Sequence, residues 1–450
     1  MRTSAKSACN SFRMNTSKNT ALKVLWNEHF RKNGVGGGTP IDYSVPSVSL
    51  RDSRPSLSSA CSRLATSFCY HRHRTQEPLM PKTFLSILLR AVVLTTLAAS
   101  ALSAQTTPSS APLRVAIAGL VHGHVGGFLR ANQSRTDIQI VGVAESDKKL
   151  AETIAAQFKL PPNIFFATVE DMLTQTKPQA VLVYTNTFDH RGVVEACARH
   201  GIPVMMEKPL AVSNEDARAM QQAAQRGKIP VLVNYETTWY RSNRAAYDLV
   251  HDNSIGEIRK VVVHDGHQGP KEINVEPWFL NWLSDPKLNG AGALFDFGCY
   301  GADLMTWLMD NRRPDTVTAV TQRIKPDIYP RVDDEATIVL TYPHAQAILQ
   351  ASWNWPFSRK DMEVYGKTGY AVTVERDALR VRLPGDQQEK MLDAKPLNLE
   401  ESDSVNYLRA VALGGMKPQG LSSLETNMIV TEILDAARES AATGKTVHLN

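Results

Sequence analysis

Cysteine is scarce in this chain and badly placed for cross-linking. Of five in 450 residues, Cys9, Cys61 and Cys69 lie near the start and only Cys197 and Cys299 fall in the body, with no C-x-x-C. That excludes a disulfide framework and gives no ligand spacing for zinc, so no metal is expected. A basic body is missing too. The net charge of +5 comes from residues 1–80, which carry 12 Lys+Arg against 4 Asp+Glu, whereas residues 105–450 carry 36 against 41. A mildly acidic body gives no reason to invoke nucleic acid. A long uninterrupted apolar run is also lacking, because Arg90 breaks the stretch 84–103 and argues against a membrane anchor.

What is present near the start is a processing signal. Met80-Pro-Lys-Thr-Phe-Leu-Ser-Ile-Leu-Leu-Arg leads into AVVLTTLAASALSAQ, a charged segment, an apolar segment and small residues around Ala101 and Ala104. This pattern predicts a Sec-type signal peptide over 80–104, hence a periplasmic or secreted protein with no membrane attachment after processing. Residues 1–79 lack sustained periodicity and read as a disordered leader or as sequence upstream of a true start at Met80. Residues 105–112 read as a linker.

The body begins with LRVAIAG, an apolar strand of the kind buried on both faces. IQIVGVAE, AVLVYT, IPVMM and IPVLVNY follow, separated by helical segments such as DKKLAETIAAQF and NEDARAMQQAAQRG. Strands alternating with helices of that length predict a doubly wound parallel sheet over 113–234. From Tyr235 the pattern changes. A helix, a strand, a Trp-containing loop and a helix at 296–310 precede consecutive strands, and SLETNMIVTEILDAARESAATG ends the chain as an amphipathic helix closed by Gly444. The fold class is therefore α/β, with a Rossmann domain followed by an α+β domain over 235–450 whose open sheet is largely antiparallel.

Three clusters carry possible chemistry. The first is Glu207-Lys208-Pro209, delivered by the apolar strand from Ile202 into a turn. Proline has no N–H for the ladder, so the strand stops there and Lys208 stands at the carboxyl end of the sheet, where open α/β folds bind ligands. A lysine there can give or take a proton; the competing reading is a surface lysine. The second is the first strand–turn–helix, Gly119-Leu-Val-His122-Gly123-His124. It departs from G-x-G-x-x-G, with Val121 and His124 in the later glycine places, yet lets the backbone approach a pyrophosphate. Glu145 ends the second strand 26 residues later, placed to bond a ribose 2′-hydroxyl and to repel a 2′-phosphate, which favours NAD over NADP. His122 and His124 either contact cofactor or substrate or are satisfied loop histidines. The third is GAGALFDFGCYGADLMTWLM, 290–309. A helix starting near 295 would place Asp296, Tyr300 and Asp303 on one face, where they could bind sugar hydroxyls; alternatively Asp296 only caps the helix.

In this order and spacing, the Rossmann start, the EKP tripeptide, TNTFDH (185–190), the 290–309 stretch and the final AARES helix resemble the glucose–fructose oxidoreductase/inositol dehydrogenase (Gfo/Idh/MocA) family from about Leu113 to Asn450. The resemblance implies NAD(P) at the sheet edge, a sugar, cyclitol or related polyol over the nicotinamide, and homo-oligomers through the C-terminal sheet. It implies cofactor contacts from the glycine turn, Thr185, Glu207 and Lys208, catalytic parts for Lys208, Asp296 and Tyr300, and substrate contacts from His190 and Asp303. Asn186 stands where the family usually has proline. Tyr300 stands where it usually has histidine, and acts as an acid most readily if Lys208 lowers its pKa. The resulting expectation is an NAD-dependent oxidoreductase. The alternatives are an NAD-dependent glycoside hydrolase with tightly bound, recycled NAD, and a non-catalytic sugar-binding paralogue.

Overall fold

The computed structural model describes residues 111–449; the leader, the signal segment and most of the linker expected above lie outside them. The first sheet is built from β1 (Leu113–Ala118), α1 (His124–Asn132), β2 (Ile138–Ala144), α2 (Lys148–Phe158), β3 (Phe165–Phe166), α3 (Val169–Thr176), β4 (Ala180–Val183), α4 (His190–Arg199), β5 (Val204–Glu207), α5 (Asn214–Gly227) and β6 (Val231–Asn234). Its six strands are parallel in the order β3-β2-β1-β4-β5-β6. All four residues of β4 and of β5 are buried, because helices cover both faces of the sheet. The helices start where short polar side chains take up free N–H groups: Asp147 accepts from Lys149 and Leu150, Thr168 from Asp171, and Ser213 from Asp216.

The second half contains α6 (Arg241–His251), β7 (Ile258–Gly266), α7 (Pro277–Leu283), α8 (Pro286–Asn289), α9 (Ala293–Asp296), α10 (Gly298–Leu308), β8 (Thr316–Gln322), β9 (Glu335–Thr341), β10 (Gln346–Ser352), β11 (Arg359–Gly366), β12 (Tyr370–Thr373), β13 (Ala378–Arg382), β14 (Lys390–Asp393), α11 (Ser404–Ala412), α12 (Leu424–Thr443) and β15 (Val447–His448). Nine strands form one sheet in the order β14-β13-β12-β11-β7-β10-β9-β8-β15, antiparallel except where β7 meets β10. The Trp-bearing segment read as a loop is partly the helix α7, opened by Pro277 and held by buried Phe279 and Trp282. The helix expected over 296–310 is broken at Phe297 into α9 and α10.

Two contacts fix the site relative to this frame. α10 lies so close to β10 that a Cβ at Gly301 would stand 3.0 Å from the Leu349 side chain. The terminal helix α12 reaches back to the first sheet. Asp435 accepts from the Asn214 N–H at 2.7 Å, Arg438 donates to the Val212 carbonyl at 3.0 Å, and the Tyr235 hydroxyl donates to Asn427 at 3.0 Å. Gly444 closes α12 in the left-handed region, φ 67°. No described helix is long and apolar enough to cross a membrane.

Candidate active site

β5 ends at Glu207, and the chain then turns through a cis Lys208–Pro209 peptide. This turn aims Lys208 away from solvent. Its ammonium donates to Asp296 Oδ1 at 2.5 Å and to the Asp296 carbonyl at 3.0 Å, and both side chains are buried. The second carboxylate oxygen of Asp296 accepts from the Trp353 indole at 2.9 Å. Asp296 therefore does not cap a helix; it closes α9 and forms an ion pair with the EKP lysine. Burial works against both charges, yet their mutual attraction outweighs it, raising the Lys208 pKa and lowering that of Asp296.

Tyr300, in the first turn of α10, is buried beneath two cations. Lys208 Nζ lies 5.2 Å from its ring centroid and Lys360 Nζ, from β11, 4.7 Å. Only Lys360 approaches the hydroxyl, at 3.5 Å, and Lys360 also pairs with Glu236 at 2.5 Å. The expected lowering of the phenol by Lys208 is not met. Burial, with Cys299 and the nearby carboxylates adding to it, pushes Tyr300 well above its usual value, so at neutral pH it is a phenol. Asp303 shares α10 with Tyr300 but is fully buried, with neither carboxylate oxygen hydrogen-bonded among the described residues, and burial pushes it toward the neutral acid. Phe297 separates α9 from α10, yet Asp296 and Tyr300 still meet around the Lys208 ammonium.

The glycine turn lies across the carboxyl end of the first sheet. Gly119 has φ +80°, and a Cβ there would come within 2.5 Å of Thr185 Cγ2, so the first glycine is required by backbone and neighbour alike. Glu145 accepts from the Leu120 N–H at 2.9 Å and from the Asp147 N–H at 2.9 Å, tying the end of β2 to this turn. His122 is buried against Phe279 and Trp282, with ring centroids at 4.8 and 5.5 Å, and burial holds it well below its usual pKa. The half-exposed His124 meets Glu207 at 2.9 Å, and Asn234 donates to the other Glu207 oxygen at 3.0 Å. The donor atoms of His122, His124 and Glu207 lie within 4.8 Å of one another, so the turn and the EKP strand face each other directly. His190 donates from Nδ1 to the Leu210 carbonyl at 3.1 Å, while its Nε2, like Thr187 Oγ1, is buried with no partner among the described residues.

These features fit a dinucleotide. A tight glycine turn, an acid tied to the turn, and the orphaned buried Thr187 hydroxyl at the carboxyl end of the same sheet would meet phosphate, ribose and amide groups. Four residues of the site escaped the sequence reading. Lys360 and Trp353 come from strands remote in sequence, and Asp265 sits opposite Lys360 in the β7–β11 register with both oxygens unpartnered. Glu236, one residue beyond the strand IPVLVNY, was the most accessible, as a polar residue just past a buried strand's carboxyl end.

Residues 113–235 match the oxidoreductase family with an NAD-binding Rossmann fold, and residues 243–372 match the GFO/IDH/MocA C-terminal domain. Among curated proteins, the chain is 22% identical over 322 residues to trans-1,2-dihydrobenzene-1,2-diol dehydrogenase of Xenopus tropicalis, covering 67% of this chain and 89% of that protein. It is 25% identical over 352 residues to D-apiose dehydrogenase of Rhizobium rhizogenes, covering 72% and 95%. Among solved structures, aldose-aldose oxidoreductase from Caulobacter crescentus complexed with glycerol superposes with TM-score 0.65 at 22% identity, covering 75% of this chain and all of that one. An inositol dehydrogenase homologue complexed with NAD+ from Azotobacter vinelandii gives 0.65 at 20% identity, covering 76% and 98%.

Proposed function

Since the chain belongs to the Gfo/Idh/MocA family of NAD-binding oxidoreductases, we propose that it oxidises a secondary alcohol of a sugar, cyclitol or related polyol, with Lys208, Asp296 and Tyr300 managing the alcohol proton. The observation that carries this reading is the buried Lys208–Asp296 pair beside the Tyr300 ring at the carboxyl end of the Rossmann sheet. NAD, when bound, supplies the hydride acceptor. Gly119, Leu120 and Glu145 would hold its phosphate and ribose end, and Thr185, Glu207 and Lys208 its reactive end. Lys208 polarises the substrate oxygen with a fixed ammonium, and Asp296 orients that ammonium while keeping it charged. Tyr300 exchanges its phenolic proton with the alcohol. His190 Nε2, an acceptor with no partner, takes a substrate hydroxyl. Glu145 selects NAD over NADP by charge.

The same reading includes export through the segment beginning at Met80 and association of copies through the open face of the nine-stranded sheet, where Val320 is 65% exposed. Outside the cytoplasm, NAD would have to be retained and recycled, which is the condition under which redox-neutral chemistry such as glycoside cleavage is reached. The test is direct. Denaturing the mature protein should release NAD, and a panel of polyols should generate NADH absorbance while aryl-glycosides report cleavage. Release of no dinucleotide, with no response to any polyol, would support a silent sugar-binding protein instead.

A further inference from the structure

Alcohol oxidation leaves one proton behind for each hydride transferred, and the buried Lys208–Asp296 pair offers that proton no way out. Both side chains are within 7% of full burial, and besides Lys208 the hydrogen-bond partners of Asp296 are the Trp353 indole, which donates but cannot accept, and the buried Cys299 thiol. Tyr300, at 1% exposure, is equally enclosed. A second chain of groups does reach solvent. Lys360 Nζ lies 3.5 Å from the Tyr300 hydroxyl and 2.5 Å from Glu236, and side-chain exposure rises from 22% at Lys360 to 43% at Glu236. Glu236 is held in place by the Tyr240 hydroxyl at 2.8 Å.

We propose that Lys360 and Glu236 form the proton exit of the site, connecting the Tyr300 phenol to bulk water. This rests on the functional reading above and adds a route to it. An ammonium proton of Lys360 moves to the Glu236 carboxylate, and the amine lone pair so freed takes the phenolic proton as the substrate O–H proton moves to the Tyr300 oxygen. Lys360 ends as an ammonium, Tyr300 as a phenol, and Glu236 as a neutral acid that loses its proton to water. One proton would leave for each alcohol oxidised. Lys360 and Glu236 are positioning and relay groups that act through Tyr300, with Asp265 opposite Lys360 in the strand register.

The route is tested without turnover by labelling tyrosine at 13Cζ and recording the Tyr300 signal, assigned with Tyr300→Phe, in equal parts H2O and D2O. Fast hydroxyl exchange gives one averaged line; slow exchange gives two lines separated by the isotope shift. The wild type should give one line, and Lys360→Met and Glu236→Gln two, with Lys360→Arg intermediate. Two lines in the wild type, or one line in folded Lys360→Met, overturns the exit. In turnover, Lys360→Ala should lose about 10²-fold or more in kcat, on the order of a general acid–base contribution, and recover saturably with added ethylamine. Loss without rescue by any small primary amine would also overturn it. Averaged exchange in the wild type with no NADH formed from any polyol would instead refute the functional reading and leave the exit standing.

Discussion

Removing one partner of the Lys208–Asp296 pair should cost far more than removing both charges. In Lys208→Met, the Asp296 carboxylate keeps the Trp353 N–H but loses the hydrogen bond to the Lys208 ammonium; in Asp296→Asn, a buried ammonium is left facing an amide. Stranding one member of a buried ion pair costs about 3–5 kcal/mol, whereas neutralising both is often close to neutral. The double variant should therefore be less destabilised than either single one, with a coupling of about 3 kcal/mol or more. Urea unfolding followed by fluorescence and circular dichroism measures it from midpoints and slopes. The pH dependence has a defined sign. The lowered Asp296 pKa contributes stability that is present above its ordinary value of 3.8 and lost as pH falls through the folded value. The raised Lys208 pKa contributes stability that is present below its ordinary value of 10.5 and lost as pH rises through the folded value. The advantage of the wild type over the single variants should be greatest between these limits. Single variants costing under about 1 kcal/mol and adding within about 0.5 kcal/mol would refute the pair as a coupled unit.

Other perturbations follow from the same geometry. Burial lowers the His190 pKa from 6.5 to about 4, so the unfolded chain binds a proton that the folded one does not between those values. Stability should fall by about 3 kcal/mol as pH drops from 6.5 to 4, and His190→Asn should flatten that slope in thermal melts across pH. Gly119→Ala combines positive φ with contact on Thr185, and should abolish NAD binding measured by calorimetry while destabilising the fold by about 1–3 kcal/mol. Glu145→Gln should weaken NAD binding and narrow the NAD-to-NADP affinity ratio; an unchanged ratio would remove Glu145 from the ribose site. Gly301→Val should destabilise by about 1–3 kcal/mol, because α10 would be forced off Leu349.

Local chemistry made much of this architecture readable. Buried apolar strands bounded by glycine and capping residues gave the parallel sheet, and Pro209 marked where β5 releases Lys208. Gly444 marked the end of α12 for an equally local reason, a left-handed cap. What failed was set by tertiary packing. The break at Phe297 has no proline to announce it, and it splits the helix expected over 296–310 into α9 and α10. The strands β13 and β14 went unread because their alternation is short and largely charged, as in KMLD. The direction of the Tyr300 pKa is set first by its complete burial, with Cys299 and nearby carboxylates adding to it, an enclosure that no spacing rule encodes. Lys360 and Glu236 meet across 124 residues, so only the fold brings them to Tyr300.

The central claim, that a polyol alcohol is oxidised over Lys208 by bound NAD, is tested most directly by single-turnover reduction. NAD-loaded wild type mixed with each member of a sugar and cyclitol panel should show nicotinamide absorbance at 340 nm for at least one. Folded, NAD-loaded Lys208→Met should show it slower by about 10²-fold or more. Equal rates in the two proteins, or no reduction of wild-type NAD by any member, would contradict the account.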